Sequence, residues 1–126
     1  MKIKDFKELN VWQTGIEIVE QVYRLTRKFP KDERFGLTHQ IQRSAVSIPS
    51  NVAEGFNRQY PKEFIQFCHV SLGSCAELET HLIIAARLKY ITDKDLKNLT
   101  TKIHYECKML RNLVTSLKSK SHHTSH

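Results

Sequence analysis

From Leu9 to Leu117 the apolar residues of this chain recur largely at alternating spacings of three and four, the period at which side chains line up on one face of an α-helix. Glycine and proline, four and three copies, fall mostly where such stripes begin, bend or end, and they divide the chain into four pieces. In the first, Leu9, Trp12, Ile16, Val19 and Tyr23 form one stripe, and Ile18, Val22, Leu25 and Phe29 form its neighbour. This predicts a helix with a wide buried face. It begins near Asn10, capped by that side chain with Gln13 reaching back, and ends at Phe29 because Pro30 disfavours the α conformation before it.

Leu37, Ile41, Ala45, Ile48, Val52 and Phe56 give the second stripe, which is expected to kink at Pro49, to end at Gly55 and to lead into a loop over 57–60. Pro61 suits the first turn of a third and longest helix, with Phe64, Cys68, Leu72, Cys75, Leu78, Leu82 and Ala85 or Ala86 on one face. Thr92 with Asp95 caps a fourth, whose stripe is Leu96, Leu99, Ile103, Leu110, Leu113 and Leu117. Glu106 stands where an apolar residue is due, so it either turns outward, with Cys107 inside, or meets a buried cation. Short links between long amphipathic helices favour antiparallel neighbours. The expectation is an all-α, up-down-up-down four-helix bundle in one domain over residues 1–120, with a disordered tail over 121–126.

The 126 residues suit a single core, and nothing approaches the roughly 18 apolar residues of a membrane span or the apolar run of a secretory signal. A cytoplasmic protein is expected. Three cysteines, Cys68, Cys75 and Cys107, lie within helical patterns, so reduced, buried thiols are the natural reading. The formal charge of +7 raises attraction for polyanions. Much of the excess lies from Lys97 onward, where six Lys or Arg face one acid, Glu106. Lys97, Lys102, Lys108, Arg111 and Lys118 would give the last helix a basic face, to which Arg24, Arg27, Lys28 and Arg87 are candidate additions. The alternative is a solvated surface that keeps the protein soluble.

Arg43, Ser47, Asn51 and Glu54, spaced four, four and three apart, form a polar line beside the second stripe. Ser47 and Asn51 are placed to satisfy backbone groups freed by Pro49, and Arg43 and Glu54 to pair with charges on a neighbouring helix, such as Glu77 or Glu79; alternatively the line faces a ligand or another subunit. Gly73 within the third helix costs about 1 kcal/mol against alanine, which a close contact inside the bundle or between subunits would offset. Tyr60, Tyr90 and Tyr105 are candidate interface anchors.

Catalytic chemistry has no foothold. A di-iron bundle needs Glu-x-x-His pairs, whereas Glu77 and His81 are four apart with no second pair. His104 with Cys107, and Cys68 with Cys75, lack zinc-finger spacing, and His122, His123 and His126 make a poor site on a flexible tail. Glycine-rich phosphate loops, nucleophile elbows and dinucleotide fingerprints are absent. No catalytic residue, metal or cofactor is therefore expected.

The run from Gln42 to Phe56, with Phe29-Pro30, Glu33-Arg34-Phe35-Gly36-Leu37, Lys62-Glu63-Phe64 and Gly73-Ser74-Cys75-Ala76-Glu77-Leu78, resembles the bacterial four-helix bundle proteins encoded in intervening sequences of large-subunit ribosomal RNA genes. The resemblance extends from Phe6 to about Leu117; Lys89 departs from it, standing where relatives often have glycine. It implies assembly into a homopentameric, barrel-like ring. A similar protein, the accessory variability determinant of diversity-generating retroelements, has that architecture and presents a basic surface to nucleic acid and a reverse transcriptase. The expectation is thus a non-enzymatic homo-oligomeric scaffold that binds RNA or DNA through phosphates, RNA foremost. Its rival is a protein-binding adaptor with no nucleic-acid role.

Overall fold

The computed structural model of the chain describes residues 2–124, with side-chain surroundings for 2–120. After a single 3-10 turn at Phe6–Glu8 come four helices: α1 (Asn10–Thr26), α2 (Leu37–Phe56), α3 (Pro61–Arg87) and α4 (Asp93–Thr124), with a second 3-10 turn, Lys31–Glu33, between α1 and α2. No strand occurs among the described residues. Each helix touches the next in chain order, and α4 returns to α1. The buried core draws on all four: Ile18 and Val22, Ile41 and Ile48, Leu78 and Leu82, Ile103 and Leu110 are among its enclosed side chains.

Contacts across the seams run with one residue number rising as the other falls. Thr26 meets Gln42 at 3.0 Å and Gly15 lies against Pro49; Ser47 meets Ser74 at 2.8 Å and Gly55 lies under Phe64. On α4, His104 reaches Glu79 of α3 at 3.0 Å, and Lys102 reaches Glu17 of α1 at 2.8 Å. This numbering brings the α1–α2 and α3–α4 links to one end of the bundle. There the Phe29 and Tyr90 rings lie 5.3 Å apart, and the Tyr90 hydroxyl donates to Glu33 at 2.8 Å.

Several local details differ from the sequence reading. α1 stops at Thr26 rather than Phe29, because the chain passes into i→i+3 turns, Lys28 to Leu25 and Phe29 to Thr26, before Pro30. Its cap position is Leu9, with no side-chain cap, while Gln13 reaches back to the Lys7 carbonyl at 2.9 Å. α2 holds Pro49 inside it, as the second stripe predicts, and ends one residue after Gly55. That glycine has no positive φ, so left-handed termination is not its task. A Cβ there would lie 2.7 Å from both Phe64 Cδ1 and Phe67 Cβ. The requirement is close approach of α3.

Thr92 and Asp95 cap α4 reciprocally at 3.0 and 3.2 Å, as their spacing predicts. α4 runs to Thr124. For the expected tail, residues 125–126 and the side chains of 121–124 lie outside the described ones. α3 closes at Leu88 with Lys89 at φ 67°, the left-handed position where glycine is at home. The Lys89 and Tyr90 amides reach back to Ala86 and Ala85 at 3.0 and 2.9 Å, which offsets a conformational cost on the order of 1 kcal/mol.

Candidate nucleic-acid interface

The nine cations singled out in the sequence do not form one face. Arg24, Arg27, Lys28 and Arg87 stand exposed at the end shared by the two links, and Lys97 is exposed in the first turns of α4 beside it. Lys108, Arg111 and Lys118 lie exposed along α4 towards the far end. Lys102 is half-buried and engaged with Glu17, and Arg111 lines a hollow with Cys107.

The shared end is more basic than the sequence reading allows, because the links bring cations of their own. Residues 24–34 and 87–95 together hold eight Lys or Arg against four Asp or Glu. Arg24, Lys28 and Asp95 line one hollow of about 340 Å³; Lys28, Lys89 and Tyr90 line another of about 380 Å³. A third, also about 380 Å³, is walled by Phe29, Lys31 and Arg34. Lys31, Arg34 and Lys89 escape the sequence reading because periodicity reads helices and says nothing of links. Topology holds the signal, since alternate links of an up-down bundle must share an end.

Two of the four acids there are already occupied. Glu33 accepts from the Leu37 amide at 3.1 Å, supplying the first amide of α2 with the acceptor that Gly36 lacks, and from Tyr90. These hydrogen bonds, the backbone one foremost, hold the Glu33 carboxyl below its ordinary range. Asp95 caps α4. Phe35 projects beside this cluster, 87% exposed, with the Arg34 guanidinium 5.5 Å from its ring centre. An open aromatic face flanked by cations suits an unstacked base next to its phosphates.

The polar line is built into the α2–α3 seam. Asn51 donates to the Ser47 carbonyl and hydroxyl, both at 2.8 Å; Ser74 reaches Ser47 at 2.8 Å, and Ser71 donates to the Ile48 carbonyl at 2.9 Å. The charged ends of the line behave otherwise than expected. Glu54 pairs with Arg58 at 3.5 Å, not with α3, and Glu79 takes His104. Arg43 is exposed and makes no ion pair among the described residues, Glu77 included. Both ends of the line stay in water, where closing a long side chain onto a partner gains little.

Glu106 follows neither course open to it in the sequence. Its side chain is fully buried, and neither carboxyl oxygen has a hydrogen-bond partner. It points to the centre of the bundle, where a Cβ on Gly15 would lie 3.4 Å from one oxygen and 3.1 Å from Pro49 Cβ. Burial first, then the negative charge of Cys107, pushes its carboxyl up to about 8, so at neutral pH it is a neutral acid. Gly73 is the opposite case to Gly55: a Cβ there meets nothing within 4 Å, so no contact inside the bundle accounts for it. Tyr60 and Tyr105 are exposed, whereas Tyr90 is held against Phe29 and Glu33.

Among the described residues, no three His, Cys, Asp or Glu side chains are grouped to hold a metal ion, and no helix is long and apolar enough to cross a membrane. The family model described as 23S rRNA-intervening sequence protein matches residues 7–112. A solved structure of a protein with unknown function from the S23 ribosomal protein family of Bacteroides thetaiotaomicron superposes with a TM-score of 0.77. It is 24% identical, and the match covers 82% of this chain and 97% of that one. No curated protein matches the sequence.

Proposed function

Because the chain belongs to the family of 23S rRNA-intervening sequence proteins, we propose that it is a non-enzymatic, homo-oligomeric scaffold whose basic end binds nucleic acid, RNA foremost, through phosphate contacts. The observation that carries this reading is the gathering of Arg24, Lys28, Lys31, Arg34, Arg87 and Lys89 around one end, beside the exposed Phe35. Phosphate contacts release counterions, so affinity for a labelled single-stranded RNA should fall steeply between low and moderate salt. Replacing Lys28, Arg34 and Arg87 with serine should flatten the dependence of log affinity on log salt by about 2, at roughly 0.7 for each phosphate no longer neutralised. Fluorescence anisotropy at several salt concentrations reads this directly. Absence of binding by the unaltered protein at low salt rules the reading out.

Oligomerisation draws support from the outer face of α3. Val70, Ile84 and Leu88 are 50%, 41% and 50% exposed, and they share that face with the open Gly73 at helical spacing. A ring of five copies, as the resemblance implies, would cover this stripe and give Gly73 the close neighbour it lacks within one chain. Gly73→Leu adds a side chain into open space in the single chain, so helicity should stay intact while assembly is lost. Light scattering coupled to size exclusion separates the cases. A monomeric unaltered protein at micromolar concentration removes the ring.

The same stripe favours a second reading, an adaptor that docks a helix of another protein with no nucleic-acid role. A partner that co-purifies after nuclease treatment, together with no RNA binding, selects that alternative.

A further inference from the structure

Cys107 and Cys75 face one another across the α3–α4 seam. The register is fixed one turn away by His104 Nε2 and Glu79 Oε1 at 3.0 Å, with Cys75 four residues before Glu79 and Cys107 three after His104. At that level Cys107 shares a hollow with Leu72 and Ala76, the α3 residues on either side of Cys75 in the chain. Their accessibility differs. Cys75 is fully buried, whereas Cys107 is half-exposed at the floor of a hollow of about 190 Å³ whose walls include Leu72, Ala76, His104 and Arg111. A small oxidant can therefore reach Cys107, whereas Cys75 is enclosed.

The electrostatics divide the roles in the same way. The neighbouring Cys75 thiol first, then the charges of Arg111 and His104, hold the Cys107 thiol below the ordinary cysteine range, against burial and the opposing charge of Glu79. Cys75 is pushed up, chiefly by its pairing with Cys107 and by burial. Cys68, in apolar surroundings with no such partner, is pushed up to about 12 by burial. Cys107 is thus the most readily ionised of the three thiols, and Cys75 is the thiol placed to resolve it.

We infer that Cys107 is a site of peroxide oxidation and that Cys75 resolves it into a disulfide tying α3 to α4. The Cys107 thiolate attacks one oxygen of a hydroperoxide, the O–O bond breaks, and the departing hydroxide or alkoxide takes up a proton, leaving a sulfenic acid. The Cys75 sulfur then attacks the Cys107 sulfur, the S–O bond breaks, and water leaves with the proton that Cys75 carried. Two thiols lose two electrons in all, and the peroxide gains them. The product joins the third helix to the last within a single chain. Neither step depends on the nucleic-acid reading.

The test uses the full chain with hydrogen peroxide near stoichiometry, followed by unfolding, alkylation of remaining thiols and intact mass measurement without reductant. The expected result is loss of two of the three alkylatable thiols, Cys68 alone remaining, with a peptide joining Cys75 to Cys107 at monomer mass. Cys75→Ser should stop at a sulfenic acid on Cys107, trapped by dimedone. Cys107→Ser should keep its two thiols, and Cys68→Ser should behave as the unaltered chain. The inference is overturned if all three thiols survive peroxide that oxidises free glutathione, if the bridge includes Cys68, or if it joins two chains.

Discussion

Glu106→Leu is expected to stabilise the bundle, and to do so more strongly as pH rises. The folded carboxyl titrates at about 8 against 4.5 for the ordinary group, so between those values the folded chain holds a proton that the unfolded chain has released. Stability therefore falls as pH increases through this window and reaches its floor above the folded value. Two values so far apart give a loss of about 4 kcal/mol from roughly pH 5 to pH 9, at about 1.4 kcal/mol per pKa unit. Solvent screening removes little of this, because the side chain is fully enclosed. The leucine variant lacks that loss, and below pH 5 it still gains about 1 to 3 kcal/mol from removal of two unpartnered oxygens. Urea titrations of both proteins at acidic, neutral and alkaline pH compare the curves. Parallel curves would mean that water or a cation reaches this carboxyl, and the account of the bundle centre would fail.

Gly55→Ala is expected to destabilise by about 3 kcal/mol, the upper end of what an added methyl costs in a filled interior. The new carbon would lie 2.7 Å from Phe64 Cδ1, 2.7 Å from Phe67 Cβ and 3.3 Å from the Phe64 carbonyl oxygen. The Phe64 ring, set edge-on to Phe56 with centres 6.1 Å apart, can swing; the other two atoms move only with the backbone of α3. A fall in Tm on the order of 10 °C should follow. Gly15→Ala, whose nearest contact is 3.1 Å to Pro49 Cβ, should cost less. Equal melting of the Gly55 variant and the unaltered chain would show that α2 and α3 have slack at this crossing.

These two positions mark where sequence reasoning stops. The spacing of Ile41, Ala45, Ile48 and Val52, or of Leu99, Ile103 and Leu110, predicts both the helices and the faces they bury, because helical period is a local property. Glycine has no such period. Gly55 and Gly73 look alike in the sequence, yet one lies beneath two phenylalanines and the other opens to solvent, a distinction made only by the neighbouring helix. Glu106 occupies an apolar register position, and its inward turn is set by the room beside Gly15 and Pro49, three and two helices back in the chain. The candidate interface is half legible. Arg24, Lys28 and Arg87 stand out by charge alone, whereas Lys102 is overvalued because its partner Glu17 lies 85 residues away. Lys31, Arg34 and Lys89 depend on which links meet.

That meeting of the links has a thermodynamic consequence. The Glu33–Tyr90 hydrogen bond and the Phe29–Tyr90 ring contact clasp the α1–α2 hairpin to the α3–α4 hairpin at one end, and the cations around the clasp come from both hairpins. A polyanion that grips both sets can be held only while the clasp is shut. Its binding free energy is then added to the cohesion of the two hairpins, and its occupancy sets how seldom they part.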